Sequence, residues 1–459
     1  MALPVIIFWR PIFFYILDDW TALIQMAQLP FRQYLVMPDG EQWFPFFHLV
    51  YYGLVKVAGE RYEWLVLVNC LGTGVNAFLL YLFLQRHWSW GLSLTLSLFY
   101  AGAALHHAIA WNGFYVGYLL SLGFFLGALL LTDSYLREPA LLKLVGVGLC
   151  AMLSLLSHNY PLSGLVALPL YALLLGEGDR GRRFWSLAFT VAAVYLVFAA
   201  GYFFCAGAAA ATSHNTRVFS GLPGSAYFLH LFFGSVLSPF LYLFWGRYHF
   251  PVAAYVAGIS LLGASLVTVW RWGGYRERRL VLWAFLANAL PFLLISLTRY
   301  QRSVDQAFVA RYGIFTLIGA LLLVGTAWRL VAERLHPRLG IQLLALGLLS
   351  VMVYGQIFSL PRWHEKYLEM SRAAKSCYQK LSQEADPGGM IPAEEYRKFC
   401  PTAHPTLTRD QAAAIRRFLN GPPEPSGRSV SWKREILDPL TSGQVAGSNV
   451  QTTVFSQNP

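Results

Sequence analysis

Residues 64–84 read WLVLVNCLGTGVNAFLLYLFL and run straight into Gln85-Arg86-His87. The stretch holds no charged residue and exceeds the roughly 18 residues needed to cross a ~30 Å hydrocarbon core. A backbone in lipid must satisfy its own N–H and C=O groups, so such a stretch is a helix. Comparable runs lie at about 2–17, 89–107, 112–132, 141–157, 160–175, 184–204, 250–270, 279–297, 309–328 and 340–360. No alternating barrel pattern of ~10-residue segments occurs. The expected fold class is an all-α polytopic membrane protein with about 11 transmembrane helices.

Composition agrees. Of 459 residues, 56% are hydrophobic and 13% are charged, about half the roughly 25% charge of a soluble domain. The net charge of +12 does not signal nucleic acid. The basic residues concentrate in short loops between runs: Arg86/His87, Arg137 to Lys143, Arg180 to Arg183, Arg271 to Arg279 and Trp328 to Arg338. Positive loops face the cytoplasm. Asp18-Asp19, His106 to Tyr115 and Ser157 to Pro161 then face outward. Residues 226–245 are apolar enough to span, but spanning would turn Arg271 to Arg279 outward. They are therefore read as a re-entrant or interfacial segment, broken by Pro239.

The two ends of the chain differ from its middle. Residues 2–17 are short for a span and contain Arg10. Either the segment tilts with Arg10 snorkelling, or it is the outer half of a longer helix. Arg10-Pro11 interrupts it and no small-residue site follows, so no cleavable signal peptide is expected. Residues 18–63 form a long outer loop. Within it FPFFHLVYYGLVKVAG (44–59) reads as an amphipathic helix on the membrane surface. Trp20, Trp43, Tyr51, Tyr52, Tyr62 and Trp64 suit the headgroup level. The transmembrane domain is expected over 1–361. A small polar exoplasmic region follows at 362–420, with helix-like stretches at 362–385 and 408–419, and then a Pro-, Gly- and Ser-rich tail at 421–459 expected to be disordered. Cys377 and Cys400 fall in the exported patch, where a disulfide can persist; two free thiols are the alternative. Cys70, Cys150 and Cys205 are packing residues, and no cysteine set has zinc spacing.

Acids are few enough for elimination. Asp133, Glu138, Glu177, Asp179, Glu277 and Glu333 fall in inner loops, most near Arg or Lys, and read as solvated. On the outer side of the membrane region only Asp18, Asp19, Asp39, Glu41, Glu60, Glu63 and Asp305 remain, with Asp18 and Asp19 nearest the bilayer. Two carboxylates forced together raise one pKa, which suits a general base or a metal ligand; a helix end exposing acids to water is the plain alternative. Asp39-Gly40-Glu41 is either substrate-facing or an ordinary turn. Arg299, Arg302 and Arg311, with Tyr312, lie in LTRYQRSVDQAFVARY on the outer side. A forked guanidinium there either holds a phosphate or snorkels to lipid. His106 and His107 beside Trp111 are candidate substrate-lining residues, or satisfied polar residues.

The order of these motifs resembles the GT-C superfamily of glycosyltransferases. A first span leads into the acidic pair Asp18-Asp19. An outer loop carries Asp39-Gly40-Glu41 and the proline-containing helix WFPFFHLVYYGLVKVAG. Then come LVNCLGTGVNAFLLYLFLQR and HHAIAWNGFYVGYLLSLGFFLGALLL, which resembles the His/Trp loop and span of mannosyltransferase-like members, and a late Arg311-Tyr312 opening a span. The likeness covers 1 to about 135 well and 295–315 loosely. It implies a polyprenyl-phosphate-linked sugar donor, an unidentified glycan, lipid or protein acceptor, and catalysis on the exoplasmic face. It places the catalytic acid at Asp18 or Asp19 and leaves a divalent metal open. The expected location is a bacterial inner membrane with a periplasmic site. Rival readings are a lipid-linked sugar flippase, a non-catalytic membrane scaffold, and an O-antigen ligase-like enzyme whose site is a late outer loop.

Overall fold

The structure, a computed structural model, describes Tyr15 and residues 18–38, 42–160, 162–176, 178–206, 224–244, 252–299, 308–334, 337–383 and 409–420. The chain divides into two units, Met1–Asn420 and Gly421–Pro459; the second lies outside the described residues. Among the described residues the first unit is helical, without strands. Its helices in order are α1 (Asp18–Gln28), α2 (Phe31–Val36), α3 (Pro45–Ala58), α4 (Glu63–Leu84), α5 (Trp90–Gly102), α6 (His106–Ala110), α7 (Val116–Arg137), α8 (Leu141–Ser157) and α9 (Ala167–Leu175). They continue with α10 (Arg180–Ala206), α11 (Gly224–Leu231), α12 (Ser238–Phe244), α13 (Val252–Trp272), α14 (Tyr275–Arg299), α15 (Ala310–Arg334), α16 (Pro337–Gln383) and α17 (Arg409–Asn420).

Seven helical segments among the described residues are long and apolar enough to cross a membrane. This is a helical membrane protein. The expected eleven spans include several that are shorter than a full crossing: α8, the segment Gly164–Leu175 and Leu339–Gly355 are apolar but have 10–17 residues. α15 is the hub, with 78% of its apolar window buried, whereas α10 (22%) and α13 (28%) lie at the periphery. Buried polar side chains tie the spans together, since each needs a partner away from water. Asn76 donates to the Leu119 carbonyl (3.0 Å) and Asn288 to that of Thr316 (3.0 Å). Ser121 and Ser154 each donate to the other's carbonyl, at 2.9 and 2.7 Å.

The basic loops gather at one end of the bundle. Arg86 and Arg137 meet on Asp133 at 2.6 and 3.1 Å. Tyr171 donates to the same carboxylate (3.0 Å) and its hydroxyl lies 3.0 Å from His87 Nε2. Arg183 donates to the Leu136 carbonyl. Arg329 bridges Glu277 and Glu333 at 2.6 and 3.2 Å. Asp133 is therefore not the solvated loop acid expected from its neighbours in sequence. It is buried, because its partners Arg86 and Tyr171 come from other helices.

Residues 18–63 are not a loop either. They form α1, α2 and α3. Phe47, Tyr51, Val55 and Ala58 recur at helical spacing and are buried along one face of α3. Of the six aromatics expected at headgroup level only Trp64 is exposed (50%), and Trp20, Tyr51 and Tyr62 are fully buried. α3 starts on Pro45 and ends at Gly59, whose φ of +55° suits glycine. Residues 226–243 meet the criteria for a span, yet contacts near both ends of the segment fall at the same end of the bundle. His230 Nδ1 lies 2.9 Å from Ser296 Oγ near the end of α14, and Tyr242 donates to the Phe308 carbonyl just before α15. A π-helical turn at Phe232–Leu237 interrupts it.

α16 joins what the sequence suggested were separate stretches, 340–360 and 362–385. Its 47 residues reach about 70 Å at 1.5 Å per residue, so it continues well beyond a bilayer. Cys377 and Tyr378, near its end, are buried. Cys377 is disulfide-bonded; Cys400, its expected partner, lies outside the described residues. α17 packs against α1, α3 and α16, so the C-terminal stretch belongs to the same body as the membrane helices.

Candidate functional site

Asp19 is the second residue of α1 and is completely buried. Three other pieces of chain meet on its carboxylate. Tyr51 of α3 donates to Oδ1. Tyr62, just before α4, donates to Oδ2 at 2.7 Å. The backbone N–H of Phe114, at the entry to α7, donates to Oδ1 at 2.8 Å. Both carboxylate oxygens are thus engaged. The burial of a carboxylate is costly unless donors replace water, and phenols and an N–H do so here.

Further hydrogen bonds hold these donors. Gly113 N–H donates to Tyr62 Oη at 2.6 Å. The Trp111 carbonyl lies 3.1 Å from the same hydroxyl; the single hydroxyl proton favours the closer, charged acceptor. Asn69 donates to the carbonyls of Ile109 (3.0 Å) and Asn112 (2.7 Å). Asn112 Oδ1 caps the following turn by accepting from Phe114 N–H at 3.1 Å. Gly113 is tight: an added Cβ would lie 3.0 Å from Leu65 and 3.3 Å from Asp19 Oδ1. Tyr15 reaches over Gly59, donating to its carbonyl at 2.6 Å.

The electrostatics follow. Burial first, and the Asp19 charge second, push the Tyr51 and Tyr62 phenols well above their usual value. They stay protonated donors at any ordinary pH. His48, on the same helix as Tyr51, is pushed down to about 4 by burial and is neutral near pH 7. This end lies opposite the basic one. α4 starts beside Tyr62 and ends beside Arg86; α7 starts beside Phe114 and ends at Arg137. Each has 22 residues, about 33 Å.

The C-terminal helices cover this end. Trp20 and Tyr378 rings lie 6.3 Å apart, and Tyr378 Oη lies 3.3 Å from Glu60 Oε1. Lys56 donates to the Phe418 carbonyl at 3.0 Å, with its ammonium 3.7 Å from the Phe418 ring centroid.

The other sequence candidates are placed as follows. Asp18 opens α1, but its side chain is outside the described residues, as are Asp39, Glu41, Arg302 and the side chain of Arg299. Trp111 joins the Asp19 network through its carbonyl. His106 and His107 are buried on α6, with the His106 ring 4.8 Å from that of Tyr100. Burial first, and His107 second, push the His106 imidazole down to about 3, so it is neutral and brings no cation to a phosphate. Arg311 is half-buried, with its guanidinium 5.4 Å from the Tyr312 ring. Tyr312 stacks on Tyr160 at 5.5 Å. Beside Tyr160 runs a narrow apolar crevice of about 40 Å³, lined by Leu122, Asn288, Pro291, Phe315 and Ile318 among others. Among the described residues no three His, Cys, Asp or Glu side chains converge as a metal site.

Sequence reasoning singled out the pair Asp18-Asp19, and the structure shows partners of Asp19 that it did not anticipate. Tyr51 and Tyr62 read as interfacial aromatics, Asn112 was placed in the outer His/Trp loop without a role, and Asn69 was not singled out. The one available signal was the 47-51-55 spacing, which marks a buried face of α3 rather than a scatter of surface rings. Comparison of the chain with protein families and with curated proteins gives no match.

Proposed function

We propose that this protein is a membrane glycosyltransferase of the GT-C kind. It moves a sugar from a polyprenyl-phosphate donor to an acceptor on the exoplasmic face, the periplasmic side of a bacterial inner membrane. The observation that carries this reading is the acid pair at the start of α1, built into the bundle end opposite the basic loops. In this reading Asp18 is the base. Asp19, with both oxygens already accepting hydrogen bonds, is a positioning residue that fixes the start of α1. The acceptor hydroxyl gives its proton to Asp18 as its oxygen bonds to the sugar carbon, and the bond from that carbon to the donor phosphate breaks. Arg311, with Arg299 and Arg302, stabilises the departing phosphate charge. The apolar crevice begins at Tyr160, stacked on the neighbour of Arg311, which fits a prenyl chain running from that phosphate. At about 40 Å³ the crevice is too small for such a chain as it stands, so this reading requires it to widen.

The test is glycan and glycolipid profiling of a deletion strain and of the same strain carrying the wild-type gene. Loss of one sugar-bearing product, with its lipid-linked donor accumulating, supports the reading. An unchanged profile refutes it. A second reading, the non-catalytic scaffold, draws on the saturation of Asp19, since a fully satisfied carboxylate can serve as a structural tie alone. It predicts that Asp18→Asn is silent.

A further inference from the structure

The basic end holds more positive charge than its acids neutralise, and at one place two arginines share a helix end. Arg180 donates through Nε to the Gly176 carbonyl at 2.5 Å. Arg279 donates through Nη1 to the Leu174 carbonyl at 3.1 Å. Both therefore converge on the C-terminal end of α9 and repel one another. A helix C-terminus offers about half a negative charge, too little for two guanidiniums. Among the described residues the nearby acids are committed elsewhere: Asp133 to Arg86 and Arg137, Glu277 and Glu333 to Arg329, and Glu138 to Lys143. Asp179 Oδ1 caps α10 by accepting from Arg182 N–H.

What surrounds the pair is apolar and exposed. Leu173 (44% exposed) and Leu282 (48%) lie next to it on α9 and α14, and the Tyr275 ring (69% exposed) lies under the Arg279 guanidinium, 3.7 Å from centroid to carbon. α9 and α14 pack against each other, so the cations and the exposed leucines border one seam.

We infer that Arg180 and Arg279 bind the phosphate of an anionic phospholipid in the leaflet at this end, with its acyl chains along the seam past Leu173 and Leu282. A guanidinium fork matches phosphate oxygens, and basic pockets between transmembrane helices suit anionic headgroups. The exposed leucines favour a lipid over a free anion, because only a lipid fills both halves of the site. The role goes beyond setting orientation, and it is independent of any sugar-transfer activity.

Thermal unfolding of the purified full chain in a neutral detergent tests this. The probes are added phosphatidylglycerol, phosphatidylcholine and inorganic phosphate. Phosphatidylglycerol is expected to raise the unfolding midpoint by several degrees and phosphatidylcholine to do little. Arg180→Gln/Arg279→Gln should lose that rise, and Arg182→Gln, which removes one charge nearby, should keep it. The inference falls if the double variant keeps the full rise, or if millimolar phosphate alone reproduces it. Should the double variant fail to fold, Arg180→Lys/Arg279→Lys keeps the charge and removes the forks. A reduced rise then supports the site and an unchanged rise overturns it. In native mass spectrometry of the wild type, retention of phosphatidylcholine as strongly as phosphatidylglycerol also overturns it.

Discussion

Two buried carboxylates stand about one membrane thickness apart and are satisfied in opposite ways. Asp133 receives two guanidiniums and a phenol. Asp19 receives two phenols and a backbone N–H. The first arrangement balances charge and closes the basic end. The second supplies neutral donors, which satisfy the oxygens without bringing a countercharge of their own. The difference teaches that a buried carboxylate can be satisfied by charged or by neutral donors, and that burial alone does not tell which.

The largest expected effect comes from removing the neutral-donor knot. Asp19→Ala strands three buried donors, and a hydrogen bond to a charged group contributes about 1.5–3 kcal/mol. The variant should lose about 3 kcal/mol or more, seen as a collapse of folded protein in membranes. Asp133→Asn should cost less, about 1–3 kcal/mol, because Arg137 is 57% exposed and water takes over its hydrogen bonds. If the two substitutions cost the same, the contrast between the ends is wrong.

Next in size is the response to pH. His48 is held at about 4 against 6.5 unfolded, so the unfolded state binds more protons between these values. Stability is complete above about 6.5 and falls as pH drops toward 4. Tyr51 and Tyr62 are raised above 10. Their contribution is complete below about 10 and is lost as pH climbs above it. His48→Gln should flatten the acid limb and Tyr51→Phe the alkaline limb of the unfolding midpoint against pH. Since the histidine and the phenol both belong to the Asp19 end, neither slope should change in Asp133→Asn.

The smallest effect concerns the cover of that end. Lys56→Ala removes one hydrogen bond and one cation–π contact to Phe418. It should cost about 1 kcal/mol, read as faster proteolysis of the C-terminal segment.

Much of this molecule was legible because lipid imposes a simple rule. Long apolar runs such as 64–84 became helices, and the positive loops collected at one end. Elimination of acids pointed to the pair Asp18 and Asp19. What stayed hidden was non-local. The tie between Asp133 and Arg86 spans 47 residues in sequence, so a nearby Arg137 suggested only a solvated pair. Tyr51 and Tyr62 are amphipathic rings that suit a headgroup region and a buried knot equally well. The continuity of α16 through Pro361 was also hidden, because a proline and a drop in apolarity both argue for a break.

The central claim is that Asp18 does chemistry while Asp19 holds it in place. The most direct measurement is the sugar-bearing product of a deletion strain complemented with Asp18→Asn or Asp19→Asn, each compared with its membrane protein level. The account predicts that Asp18→Asn reaches wild-type levels without restoring product, while Asp19→Asn loses product in step with lost protein. Full restoration by Asp18→Asn at normal levels would contradict it and leave the acid pair as a structural tie.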